Sequence, residues 1–116
     1  MTDQIQILIG ALLSSVEFVH DYIQLRFDGP CLTVNAPFEV VVGGQAYKKG
    51  ELGYRDALCE RIGRSVRRAT TVSEKQIELD FDDNTSLHIS LKPQDQLGPE
   101  AAVLSGQSMP TCVWQS

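Results

Sequence analysis

A chain of 116 residues, 42% hydrophobic and 22% charged, has the composition of one ordinary globular domain (1–116) and excludes a disordered or low-complexity chain. At this size roughly two-thirds of the unfolded surface can be buried, so no disulfide or metal staple is needed. A net charge of −5 argues against nucleic-acid binding and is compatible with a partner protein that offers a basic surface.

The first segment, Asp3 to Ile9, stops at Gly10. Thr2 suits a helix cap, while the alternation Ile5, Ile7, Ile9 equally suits a strand. A strand is expected around residues 13–20. Ile23, Leu25 and Phe27 then alternate with polar residues, as do Leu32 and Val34, which reads as a hairpin closed by Asp28-Gly29. That loop pairs Leu25 with Leu32 and Ile23 with Val34 on one face. A short strand follows from Phe38 to Val42, and then a polar, glycine-rich loop from Gly43 to Gly53 that contains Lys48-Lys49.

The pattern now returns. Tyr54, Leu58 and Ile62 stand at helical spacing before Gly63, predicting a helix over 54–62 that matches the first segment, Ile5 with Leu58 and Ile9 with Ile62. Leu13, Val16 and Val19 match Val66, Ala69 and Val72, and Ile23, Leu25 and Phe27 match Ile77, Leu79 and Phe81. Leu32 and Val34 match Leu87 and Ile89 only if the second loop has one more residue. Asp82-Asp83-Asn84 supplies it, with Asn84 tolerant of the left-handed conformation, and the pairing of Leu79 with Leu87 keeps the apolar face intact. The chain therefore reads as two helix-β-β-β units, approximately 3–37 and 56–93. The expected fold is α+β, with a mainly antiparallel sheet of about six or seven strands that can curve strongly.

After Pro93 come a turn-like stretch, Gln94 to Gly98, and a short apolar segment, Pro99 to Leu104. Trp114, near the end, is either docked on the core or offered to a second subunit.

Candidate chemistry is sparse. Asp80, Asp82 and Asn84 have the first ligand spacings of a calcium loop, but Thr85 stands where the turn needs glycine and Leu91 where a glutamate should close the site. An acidic turn is the simpler reading. His20 and His88 are isolated, with Asp21 beside one and Asp80 or Glu78 near the other, and no nucleophile is paired with them. Cys31, Cys59 and Cys112 lack metal-ligand spacing and read as reduced thiols, Cys31 and Cys59 belonging to the core. No cofactor fingerprint occurs. The apolar run from Ile7 to Leu13 lacks a basic flank and is too short to span a membrane, so a cytoplasmic location without membrane contact is expected.

The unusual local feature is Arg61, Arg64, Arg67 and Arg68, four of the ten basic residues in one short stretch. Clustered guanidinium groups bind carboxylates or phosphates in bidentate fashion, with Lys48 and Lys49 as possible company. The plainer alternative pairs them with Glu78, Asp80 or other acids on neighbouring strands. In a regular strand Arg64 and Arg68 share a face and Arg67 points away.

Taken together, Leu8-Ile9-Gly10, Ile23-Gln24-Leu25-Arg26-Phe27-Asp28-Gly29, Ile62-Gly63-Arg64-Ser65-Val66, Leu79-Asp80-Phe81-Asp82-Asp83, Leu87-His88-Ile89 and Gly98-Pro99-Glu100-Ala101 resemble a family of small bacterial proteins of unknown function. The resemblance covers most of residues 5–105. It implies a bacterial, intracellular, mainly antiparallel domain and carries over no catalytic residue; Asp82-Asp83-Asn84 departs from the Asp-Gly turn common there. Two functions are then expected to compete. One is a non-enzymatic protein-interaction domain, such as an immunity protein that masks a basic site. The other is a domain that binds a small anionic ligand near Arg61–Arg68. An exposed edge strand would also permit a homodimer.

Overall fold

The computed structural model describes residues 4–73, 75–92, 100–106 and 109–115, and of residues 109, 110 and 115 the backbone alone. Thr2, expected as a cap, and the stretch Gln94 to Gly98 lie outside the described residues. The first segment is a 3-10 helix, Gln4–Leu8. Its three-residue turn brings Ile5 and Leu8 to one buried side, whereas Ile7 and Ile9 remain exposed, and this resolves the ambiguous alternation in favour of a helix.

Ten strands follow in two five-stranded antiparallel sheets, not the single sheet of fewer strands that the sequence suggested. In order they are β1 (Leu13–Phe18), β2 (Ile23–Phe27), β3 (Cys31–Val34), β4 (Phe38–Val42) and β5 (Gln45–Lys48), then β6 (Val66–Val72), β7 (Gln76–Phe81), β8 (Ser86–Ser90), β9 (Glu100–Gly106) and β10 (Met109–Gln115). One sheet has the order β1-β2-β3-β9-β10 and the other β5-β4-β8-β7-β6. Neither is closed or strongly curled. The only α-helix among the described residues, α1 (Tyr54–Cys59), is shorter than the expected 54–62; turns carry the chain from Glu60 to Gly63. The fold is thus mainly antiparallel β, with less helix than an α+β description implies.

Both hairpins have the register that alternation demands. Leu25 pairs with Leu32 and Ile23 with Val34 across β2 and β3. Leu79 pairs with Leu87 across β7 and β8, and Asn84 takes φ 65° in a three-residue loop where Asn84 N–H donates to the Phe81 carbonyl. The strands that the sequence hid are β5, β9 and β10. Gly43 and Gly44 both have positive φ and form the tight turn that folds β5 back on β4, inside a segment expected to be loop. β9 arises from the apolar run after Pro99, and β10 from the tail.

The chain passes from one sheet to the other after β3 and back after β8. β4 leaves β3 and pairs with β8, while β9 follows β8 in the chain and pairs with β3. Where the units meet, Leu12 bridges Ser65. Gly10 N–H donates to the Val66 carbonyl at 2.7 Å and Gly63 N–H to the Leu13 carbonyl at 2.8 Å; Val66 N–H donates to Ala11 at 2.9 Å and Leu13 N–H to Arg64 at 3.0 Å. The bonds are reciprocal across the junction, Gly10 and Leu13 donating one way and Gly63 and Val66 the other. Gly10 and Gly63 share φ values of 87° and 91°, a left-handed region that glycine enters without strain.

The inner faces of both sheets form one hydrophobic cluster that includes Leu25, Leu32, Leu79, Phe81, Leu87 and Leu104, closed by Leu8 on one side and Tyr54 and Leu58 of α1 on the other. Burial on this scale, at roughly 1.5–3 kcal/mol for each large apolar side chain, is what holds the sheets together. Trp114 and Cys112 pack against the same core, so the tryptophan docks on its own chain.

Candidate functional site

The arginine cluster is brought together, but around partners other than those expected. Val66 and Ala69 are buried with a β-bulge between Val66 and Arg68, so Arg67 and Arg68 both reach the surface and the regular-strand expectation fails. Arg61 Nη1 lies 3.2 Å from Asp83 Oδ2 and its Nη2 3.3 Å from Glu60 Oε2. Arg64 approaches Asp83 at 3.6 Å and Asp82 at 3.9 Å, and Arg67 Nη2 donates to Asn84 Oδ1 at 3.0 Å. The acidic turn is therefore the counter-ion of the arginines. Glu78 and Asp80 are instead occupied by Gln76 and Ser86. Arg67 and Arg68 make no ion pair with a described residue, and of the two only Arg67 has a side-chain hydrogen bond there.

Arg61 is 4% exposed at the position where the first unit has Leu8, 0% exposed. A buried guanidinium needs a paired anion, and Asp83, in the longer second loop, provides one. Burial by itself would push the Asp83 carboxyl up. The Thr85 hydroxyl, Arg61, the Thr85 N–H and Arg64 outweigh this and hold it below the ordinary carboxylate value.

The histidines meet carboxylates. His20 lies 3.7 Å from Asp21 on an open loop. His88 Nδ1 lies 3.5 Å from Glu39 and its Nε2 4.0 Å from Glu78, and these three side chains with Lys48 form a row across β7, β8, β4 and β5. The two carboxylates approach different ring nitrogens, and among the described residues no group of three or more ligands could hold a metal ion. All three cysteines are free. Cys59, at the end of α1, is exposed and not part of the core as expected.

A cleft of about 1300 Å³ opens elsewhere. Its walls come from the β1–β2 loop, the β3–β4 connection, the segment from Lys48 into the first turn of α1, and the ends of β7 and β8. Arg55 of α1 stands over the Phe18 ring at 5.8 Å, and Phe38 and Tyr54 meet at 5.6 Å between ring centroids. These contacts fix the wall. Tyr54 is buried and its hydroxyl has no hydrogen-bond partner among the described residues, and burial raises its pKa far above the ordinary phenol value, against a smaller opposing effect of Arg55.

None of the four arginines lines this cleft, whereas five of the ten basic residues do: Lys48, Lys49, Arg55, Lys75 and Lys92. Among the described residues, four acids join them: Asp21, Glu39, Glu51 and Asp56. Sequence reading singled out Lys48 and Lys49 but placed them with the arginines. Lys75 and Arg55 carried no signal, because only the pairing of distant strands brings those segments together. Comparison with known proteins returned no match to a family model, a curated protein or a solved structure, so the resemblance to small bacterial proteins stands on its motifs alone.

Proposed function

We propose that this chain is a non-enzymatic protein-interaction domain, of the masking kind that immunity proteins represent, built from two copies of one helix-β-β-β unit and binding through its cleft. The observation that carries the reading is where unmatched chemistry is left. Arg61 and Arg64 are paired with the carboxylates of the loop at 82–84 and Arg26 with Glu17 at 2.9 Å, so their charges are met inside the molecule, and Arg67 is held by the Asn84 amide. Lys48, Lys49 and Lys75 in the cleft have no side-chain ion pair among the described residues, and Leu52 beside them is 98% exposed. Groups without partners in the free protein are the ones available to another molecule. The free thiols suit a reducing cytoplasm.

The second reading, a small anion held at Arg61–Arg68, has weaker support, since of those arginines only Arg68 is uncommitted. A tagged protein drawn from its native lysate and read by mass spectrometry tests the choice. One stoichiometric protein, retained by the unaltered chain and by Arg68→Glu but lost with Lys48→Glu/Lys49→Glu, is the expected result. Retention of no protein, or loss with Arg68→Glu alone, would overturn it.

A further inference from the structure

We propose that the cleft is the receptor for an acidic peptide segment of the partner, one that carries an apolar anchor residue. This rests on the interaction reading above and adds the chemistry of what is bound.

The first argument is electrostatic. Although the cleft contains four carboxylates, three are already engaged: Asp21 with His20, Glu39 with His88, and Glu51, whose Oε1 accepts the Lys48 N–H at 2.7 Å. The fourth, Asp56, lies in the first turn of α1, where the peptide dipoles favour a negative charge. Lys48, Lys49 and Lys75 have no side-chain ion pair among the described residues. Five basic side chains against four carboxylates give the described lining of the cleft a formal excess of one positive charge, inside a molecule whose total is −5. An anion is attracted locally, while the net charge repels long polyanions such as nucleic acid.

Size decides between anions. Small-molecule sites are typically about 300–1000 Å³, and this cleft exceeds them. The unpaired ammonium groups also belong to separate segments, Lys48-Lys49 at the end of β5 and Lys75 in the β6–β7 turn. Several carboxylates spaced along a peptide match that arrangement better than one compact anion.

The apolar anchor follows from the rim. A lone exposed leucine is ordinary on a protein surface, and Leu52 gains weight because Phe18, itself 40% exposed, lines the same cleft. Together they offer an apolar contact beside the charged one, a combination that neither phosphate nor a purely acidic polymer would use.

The probe is a fluorescein-labelled peptide of alternating glutamate and leucine, titrated by anisotropy at low and at physiological salt. We expect saturable binding that weakens with salt, falls about tenfold or more in Lys48→Glu/Lys49→Glu and in Lys75→Glu, falls about threefold in Leu52→Ser, and changes less than about twofold in Arg68→Glu. All of these side chains are exposed, and thermal melts verify that the variants fold. Three results would overturn the proposal: no saturable binding, an equal loss in Arg68→Glu, or displacement of the peptide by inorganic phosphate at stoichiometric amounts, which would mark a small-anion site. The pull-down separates the two levels. A retained partner with no peptide binding sinks the acidic-segment chemistry alone; absence of both sinks the interaction reading as well.

Discussion

The two sheets share a strand order and a buried face, yet they differ on the outside and at one point of the core. Across the first sheet the outward row is Glu17, Gln24, Thr33, Val103 and Val113; across the second the matching strands carry Thr70, Glu78, His88, Glu39 and Lys48. In the core, the first unit ends its helix with Leu8 and closes its hairpin with two residues, whereas the second has Arg61 and a loop of three. The lesson is that inward positions accept only shape and apolarity, so difference accumulates where charge can be carried. The cleft draws Glu39, Lys48 and His88 from the more highly charged second row and nothing from the first.

The strongest way to break this comparison is to give the first unit the second unit's residue. Leu8→Arg places a guanidinium in a fully buried position where the first hairpin has Gly29 in place of Asp83, and a loss of about 4 kcal/mol or more in urea unfolding is expected. A loss below about 1 kcal/mol would mean that the two positions are not buried alike.

Next in size is Asp83→Ala, which leaves the Arg61 charge uncompensated. About 3 kcal/mol should be lost, at the lower end of the range for buried pairs because the Asp83 side chain is 20% exposed. Adding Arg61→Leu, the first unit's solution, should restore most of it. Acid sharpens the same test. The folded Asp83 carboxyl titrates below its unfolded value of 3.8, so its contribution is complete above about pH 4 and is lost as the pH falls through the lower folded value. Asp83→Asn should flatten the acid limb of the stability curve in that window, and an unchanged limb would remove Asp83 from the account.

The smallest effect tests likeness, not difference. Gly10→Ala and Gly63→Ala each force an L-residue into the left-handed region, at about 1 kcal/mol apiece. Equal penalties by thermal melts support equivalent junctions; a discrepancy above about 1 kcal/mol would not.

Much of this was legible because it is local. Alternation at Ile23, Leu25, Phe27, Leu32 and Val34 fixes a hairpin register without knowledge of the rest, and the additional residue at 82–84 is required by the same rule. β9 was not legible, since the run Ala101-Ala102-Val103-Leu104 lacks alternation and suits helix or strand alike. Its partner, β3, is remote in sequence. The arginines were visible as a cluster, but Arg61 and Arg64 find their counter-ions in the turn at 82–83, remote in sequence. The cleft was the least legible, because it is a product of topology: its walls are contributed by segments between Phe18 and Lys92 that meet only after both sheets form.

The exchange of hairpins between sheets has a consequence for how the molecule comes into being. When the first unit leaves the ribosome, β3 has no β9 beside it and β4 has no β8 to join. The nascent half is therefore an open sheet with a dangling hairpin, unable to finish its own architecture however long translation pauses. Completion waits for the final strands, and the chain must be secured nearly all at once, by contacts that span almost its whole length.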